Sequence, residues 1–365
     1  MTNQCFGQGL QYAFPNNKTP YTQNWGLNLQ FEPRQRMLLE VGYQGSHGLR
    51  GQRQAESNNG ILPPTTGNPN NSVQFASQCP PGTYPATCSP IQNRVPYANF
   101  LPQLATYFND NQSHYHALTA KLEQRFSYGL QLLTAFTWSK TLDDVSEIQT
   151  QGGDVKNVPQ YPYRKDLEKG VAAYDQTRRF ITSMLYELPF GKGKQWLNSG
   201  AVVNAILGGW QANTIITLAD GLPFTISCYC NDRAQIGNDK NVERENLVGN
   251  PFPSGFQKTI FHQFDTSAFA TPAFGTLGTV GRNTMRGPAQ HAVDLSLFKN
   301  FRYRERFEAQ FRAEAFNLTA SPYYTAIYPG FNASATDFGS LVPAGGDKGN
   351  IFNPRIYQMA LRFMF

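Results

Sequence analysis

The sequence predicts an all-β fold: an antiparallel transmembrane β-barrel segment of about nine long strands. Three observations predict it. Apolar residues recur at every second position in stretches of about ten residues. The connections between these stretches are alternately very short and very long. The last stretch, Arg355 to Phe365, sets Tyr357, Met359, Leu361, Phe363 and Phe365 on one face and ends the chain on an aromatic ring. A soluble domain rarely leaves five large apolar groups on one face of its terminal strand, whereas a membrane barrel needs such a band on every strand.

Composition agrees. At 365 residues the chain could hold two or three soluble domains, yet only 15% of it is charged, against 32 Gly, 24 Pro, 27 Phe and 18 Tyr. Mean hydropathy is −0.45, and no apolar run approaches the roughly 20 residues of a spanning helix, which excludes a helical membrane protein. Alternating strands cancel in mean hydropathy, so a barrel stays open. The net charge of +6 comes from scattered basic residues without a basic helix or aromatic-basic motif, which argues against a nucleic-acid partner.

The strands follow in order. Thr22 to Phe31 (Trp25, Leu27, Leu29 and Phe31 on one face) meets Arg36 to Gly45 (Met37, Leu39, Val41, Tyr43) across Glu32-Pro33-Arg34-Gln35. After a long polar loop, Ser113 to Phe126 pairs through Ser127-Tyr128-Gly129 with Leu130 to Lys140. A second loop, Thr141 to Tyr174, leads to Arg178–Leu188. There Pro189-Phe-Gly-Lys-Gly-Lys breaks the strand, and Asn198 or Ser199 can cap a short helix that Gly208-Gly209 stops. Trp210 to Ala219, His291 to Phe301 and Arg306 to Asn317 come next. The last of these sets Phe307, Ala309, Phe311, Ala313 and Ala315 against Glu308, Gln310, Arg312 and Glu314, a face that cannot lie in lipid. Residues 1–21 read as irregular or as part of a loop, and 22–365 as the C-terminal part of an outer-membrane barrel.

Bacterial outer-membrane barrels have short periplasmic turns and long extracellular loops. That rule puts the C-terminus in the periplasm and, after nine crossings, residue 22 outside the cell. Parity therefore predicts the C-terminal part of a larger barrel. A soluble adhesion or carbohydrate-binding sandwich is the competing reading, but sandwich strands average about five or six residues and join by short turns at both ends. Trp138 and Tyr43 near loop ends, and Phe126 and Phe365 near turn ends, match interfacial girdles.

Several segments are more specific. They include Ser113-His-Tyr-His-Ala-Leu, Phe136-Thr-Trp-Ser-Lys-Thr-Leu-Asp-Asp144, Tyr174-Asp-Gln-Thr-Arg-Arg-Phe180, Glu187-Leu-Pro-Phe-Gly-Lys-Gly193 and Gly208-Gly-Trp-Gln211. Others are Asp220-Gly-Leu-Pro-Phe-Thr225, Gly281-Arg-Asn283 with Arg286-Gly-Pro288, and Phe311-Arg-Ala-Glu-Ala-Phe-Asn-Leu318. From about residue 20 to the end, the chain resembles the barrel of Oar-like TonB-dependent receptors, common in Acidobacteria. The resemblance implies a closed barrel of about 22 strands, as in plugged transporters, an unidentified substrate, and an inner-membrane energy-coupling protein as partner. It also implies a plug and an N-terminal β-domain, neither of which is recognised before Thr22. The terminal aromatic strand, Tyr357 to Phe365, resembles the signal read by the barrel-assembly machinery.

Site residues are few. Glu308, Gln310, Arg312, Glu314 and Arg362 are candidates to line the lumen, where they would touch substrate or plug or form a cross-strand polar ladder. Cys79 and Cys88 bracket a Pro-Pro-Gly turn and can bridge it; Cys228-Tyr-Cys230 lacks the His or second Cys pair of a zinc set, and the pairing of Cys5, Cys228 and Cys230 stays open. His114 and His116 share a face but lack a third ligand, and read as solvated. Asp143, Asp144, Asp154, Asp166 and Glu168 match no calcium-loop spacing and read as a solvated loop. No Gly-x-Ser-x-Gly elbow, His-Glu-x-x-His or phosphate loop occurs. A glycosidase's two acids need no local motif, but enzyme ranks last, and no cofactor is expected.

Overall fold

The computed structural model describes residues 11–60, 95–97, 104–146, 159–197, 200–228, 230, 232–237, 242–303, 307–324, 330–331, 337–341, 351–352 and 354–364. Nine long strands span the chain: β1 (Tyr21–Arg34), β2 (Met37–Glu56), β3 (Ala105–Ser127), β4 (Leu130–Asp143), β5 (Arg178–Glu187), β6 (Trp210–Ala219), β7 (Gln290–Tyr303), β8 (Phe307–Phe316) and β9 (Ile356–Met364). Each pairs antiparallel with its sequence neighbour, giving one continuous meander. All nine expected strands are present.

Register fixes which side chains share a face, because directly opposed residues project together. One row runs Phe31, Leu39, Leu122, Thr134, Thr182, Ile216, Val293 across seven strands. A second runs Gln124, Leu132, Met184, Thr214, Leu295, Ala315, Tyr357 to the far edge. The outward face is therefore mainly apolar, with a few threonines among the aliphatic and aromatic groups, and its apolar side chains are bare: Leu29 is 64% exposed and Met359 78%. The inward face carries Asn28, Gln44, Thr119, Gln211, Asn300 and Gln358.

The turns obey local chemistry. Between Ser127 and Leu130, Tyr128 (φ 53°) and Gly129 (φ 81°) both adopt the left-handed conformation that a two-residue hairpin needs. Between β1 and β2 only Gln35 and Arg36 remain outside the strands, because β1 continues through Pro33 by a bulge after Phe31. Proline is tolerated there because it sits at the bulge, where the ladder is interrupted.

Three expectations change. The hairpin β2–β3 runs well past Gly45 into what reads as loop, pairing Gly51 to Glu56 with Ala105 to Asn111. Its residues there do not alternate in hydropathy; backbone pairing, the Arg53–Asp110 ion pair (2.6 Å) and Arg53 over the Phe108 ring hold it instead. Residues 1–21 are not wholly irregular, since Gln11–Ala13 pairs parallel with the start of β3. The helix α1 (Ala201–Leu207) begins at Gly200 with no side-chain cap; Asn198 and Ser199 lie outside the described residues. Its C-terminal carbonyls are met by Lys299 Nζ, which donates to the carbonyls of Ile206 (3.0 Å) and Gly208 (2.5 Å).

Among the described residues, β1 and β9 each have one neighbour, so the sheet ends on two open edges, as expected from the strand count. Adjacent isoleucines test the assignment of faces. Ile216→Arg, outward at mid-strand, should cost about 2–4 kcal/mol, whereas inward Ile215→Arg, opposite Asp294, should cost far less. Urea titration of the chain refolded into lipid vesicles measures both.

Candidate functional site: inner wall and loop layer

The inner wall carries the polar residues singled out from the sequence. Glu308, Gln310, Arg312 and Glu314 of β8 oppose Met364, Arg362, Ala360 and Gln358 of β9. Gln310 Nε2 donates to Asn300 Oδ1 (2.8 Å), and Arg312 Nε donates to Gln310 Oε1 (2.5 Å). The Arg312 guanidinium also lies over the Phe298 ring, 5.2 Å from its centre. Asn300, Gln310, Arg312 and Phe298 thus form a cross-strand ladder, which holds β7 to β8 and leaves Arg362 beside it at the edge. Of the expected assembly signal, Tyr357, Met359, Leu361 and Phe363 share the outward face and are exposed; Phe365 lies outside the described residues, as do Cys5, Cys79 and Cys88.

Sequence reading missed that this wall is also partly apolar. Leu133, Ile181, Leu185, Ile215 and Phe298 point inward, with Ser183 directly opposite both Leu133 and Ile215. The doublets Leu132-Leu133 and Ile215-Ile216, apolar in both phases, are the signal that marks such positions.

Above one end of the sheet, the long connections fold into a layer with its own core. Ile226, Phe264, Ala268, Phe269, Val280, Met285, Phe338 and Leu341 are buried together. Phe264 meets Phe269 and Phe338 edge-to-face at 5.4 and 5.2 Å. Close backbone approach demands glycine at Gly221, where a Cβ would stand 2.0 Å from the Gly287 carbonyl oxygen.

Three arginine–carboxylate pairs hold this layer together and to the strand ends, two of them buried and the third with a buried carboxylate and a half-buried arginine. Arg282 binds the Asp143 carboxylate and donates to the Glu168 carbonyl (2.6 Å) and Ser146 Oγ (2.9 Å). Arg244 pairs with the Glu168 carboxylate and donates to the Leu167 carbonyl (2.9 Å). Arg286 reaches Asp175 Oδ2 (2.5 Å), Thr177 Oγ1 (2.9 Å) and the Gly221 carbonyl (3.1 Å). Nearby, Asn283 donates to the Val171 carbonyl (2.6 Å), and Arg178 forms a bidentate pair with Asp220, both bonds 2.9 Å.

The expected solvated acidic loop is thus corrected. Asp143 and Glu168 are buried and paired, because desolvating a carboxylate is tolerable only beside a cation. Asp144 pairs with Lys165 at 3.1 Å; only Asp166, held by Arg164, stays exposed, and Asp154 lies outside the described residues. Of the two histidines expected to be solvated, His116 is exposed, with its Nδ1 hydrogen-bonded to the Tyr43 hydroxyl at 2.7 Å, whereas His114 is half-buried, its ring stacked on His47 at 4.1 Å.

Two loop carboxyls make no ion pair of this kind among the described residues. Glu245 is fully buried, and neither of its carboxyl oxygens has a hydrogen-bond partner among the described residues. Burial pushes it up to about 7. Glu243 is held above the usual carboxylate range by burial and by the neighbouring Asp232.

Removing one partner of a buried pair strands the other charge, at about 3–5 kcal/mol. Arg282→Ala should therefore open the loop layer to limited proteolysis while the sheet keeps its heat-modifiable migration in detergent gels. Glu245 predicts a pH dependence. Its folded-state value lies above the ordinary 4.5, so the folded layer binds the extra proton, and stability falls as pH rises from about 4.5 to about 7. Protease resistance of the layer should drop across that window, and Glu245→Gln should flatten the drop.

The sequence matches the outer membrane beta barrel domain over residues 2–358. No curated protein matches it. Among solved structures it is similar to the outer membrane transporter YddB of Escherichia coli, at 9% identity and TM-score 0.43, covering 96% of this chain and 33% of that one. It is similar also to the pyoverdine receptor FpvA of Pseudomonas aeruginosa (11%, 0.41; 95% of this chain, 30% of that one). A third is the ferric preacinetobactin receptor BauA of Acinetobacter baumannii (10%, 0.40; 94% and 29%). The chain spans about a third of the length of these structures. With the family matched over nearly its whole length, the chain belongs to the outer membrane β-barrel domain family and resides in the bacterial outer membrane.

Proposed function

We propose that this barrel is the wall of an Oar-like TonB-dependent receptor, which binds a substrate at the cell surface and imports it with energy from an inner-membrane coupling protein. The observation that carries this reading is spatial convergence. The segments that resemble that family lie far apart in sequence, yet Asp143, Asp175, Arg178, Asp220, Arg282, Asn283 and Arg286, drawn from four of them, meet in one hydrogen-bonded seam of the loop layer, where Asp143, Asp175 and Arg282 are buried and Arg178 is exposed. A shared motif set that builds one feature supports a shared role better than scattered matches would. The roles of Glu308, Gln310, Arg312, Glu314 and Arg362 as substrate or plug contacts, and of the terminal strand as assembly signal, belong to this reading. So does a non-enzymatic part for the chain.

The two open edges support the wider barrel of about 22 strands. Each unpaired N–H or C=O in hydrocarbon costs several kcal/mol, so β1 and β9 need further strands beside them in the membrane.

Two measurements test the proposal. The chain should fractionate with outer membranes and migrate heat-modifiably in detergent gels; a chain soluble without detergent overturns it. Cells lacking this gene, and cells lacking the coupling protein, should fail to take up the same compound from spent medium. Loss in the first strain alone overturns energy-coupled import.

A further inference from the structure

Cys228 and Cys230 are joined by a disulfide in the loop layer. A cross-link between residues two apart closes almost no chain, and the entropy a disulfide removes from the unfolded state grows with the length of the loop it closes. The aromatic core and the arginine pairs hold this layer; the bond adds little to them. Its chemistry is the better clue.

The two sulfurs are unequal. Cys228 is 1% exposed, whereas Cys230 is half-buried. The Cys230 Sγ lies 3.6 Å from Glu243 Oε2. Glu243 is positioned for that contact from several sides. Its carboxyl accepts the backbone N–H groups of Arg233 (2.7 Å) and Ala234 (2.9 Å), and its backbone carbonyl accepts the Cys228 N–H (2.7 Å). Burial and Asp232 favour the protonated form of Glu243, which sets an acid beside the accessible sulfur. Disulfide exchange needs an approachable sulfur, and an adjacent acid assists departure of its thiolate.

We propose that Cys228–Cys230 is a thiol–disulfide exchange site at which an external low-molecular-weight thiol enters at Cys230 and Glu243 carries the proton. The external thiolate attacks Cys230 Sγ, the S–S electron pair leaves on Cys228, and a mixed disulfide forms at Cys230. The proton given up by the external thiol passes through solvent to Cys228. A second external thiolate attacks the external sulfur of the mixed disulfide, and the electron pair leaves on Cys230, which takes the Glu243 proton. The second thiol's proton then restores Glu243. Two external thiols become one disulfide, and the protein disulfide becomes two thiols. In reverse, the Glu243 carboxylate deprotonates Cys230 for attack on an external disulfide. The switch would act on the layer itself, because Ser227–Cys228 pairs with Gly330–Phe331 and Ser227 bridges to Arg244. This inference does not depend on what the receptor imports.

The test uses the full chain in detergent, with heat-modifiable migration as the check on folding. Millimolar reduced glutathione should convert the pair to thiols, read by maleimide labelling and peptide mass, while the sheet stays folded. Glu243→Gln should slow reduction and reoxidation at least tenfold at neutral pH. Cys228→Ser should accept glutathione from its disulfide at Cys230, whereas Cys230→Ser should not accept it at Cys228. Three results would overturn the proposal: reduction only after unfolding, pairing of either cysteine with Cys5, Cys79 or Cys88, or wild-type exchange rates in Glu243→Gln.

Discussion

Backbone groups inside hydrocarbon have no water to turn to, so every N–H and C=O of a spanning segment must bond within the protein. The rest of this structure follows from that constraint. It forces the spanning residues into one unbroken antiparallel sheet, and the sheet forces side chains into two alternating faces. A register slip of one residue would turn a whole strand's apolar set toward water. The row from Phe31 to Val293, continuous over seven strands, shows how strictly the alternation is kept. Even the hydroxyls it contains answer each other, Thr134 Oγ1 to Thr182 Oγ1 at 2.8 Å.

The same constraint explains what could be read from the sequence. Lipid acts identically on every strand, so the period-2 signal repeats nine times and the boundaries of β5 and β6 fall almost where the alternation starts and stops. Outside lipid the rule lapses. The distal parts of β2 and β3, Gly51 to Glu56 against Ala105 to Asn111, pair without hydropathic alternation, and they read as loop. The seam in the loop layer was visible only as fragments. Asp143 and Arg282 stand 139 positions apart, and neither has a local pattern that announces the other. Glu168 looked like a member of an acidic, solvated run because its partner Arg244 lies 76 positions away.

The sheet and the loop layer solve opposite problems. Strands in lipid are held by backbone bonds and need nothing charged outside. The loops above them have small cores, around Phe264 and around Ile236, and must hold a shape with irregular backbone. Buried ion pairs are weak sources of stability, since desolvation offsets much of the attraction, but they tolerate few geometries. Arg282 illustrates this. Its guanidinium meets a carboxylate, a hydroxyl and a carbonyl drawn from three places between Asp143 and Glu168. Specificity of loop placement, more than strength, is what such a residue supplies.

The inner wall bears on how wide the barrel is. Barrels of about eight strands fill their interiors with side chains alone. If these nine strands closed on themselves, their inward residues would pack against one another across the axis. Instead Leu133 and Ile215 remain 44% and 42% exposed, and Gln44 on the same face is exposed too. The polar groups that do bond, such as Asn300, Gln310 and Arg312, bond along the wall between neighbouring strands and not across an axis. A wall satisfied laterally, with apolar groups left facing inward, suits a lumen wide enough to hold water or another protein segment. That is the geometry of the larger barrel proposed above.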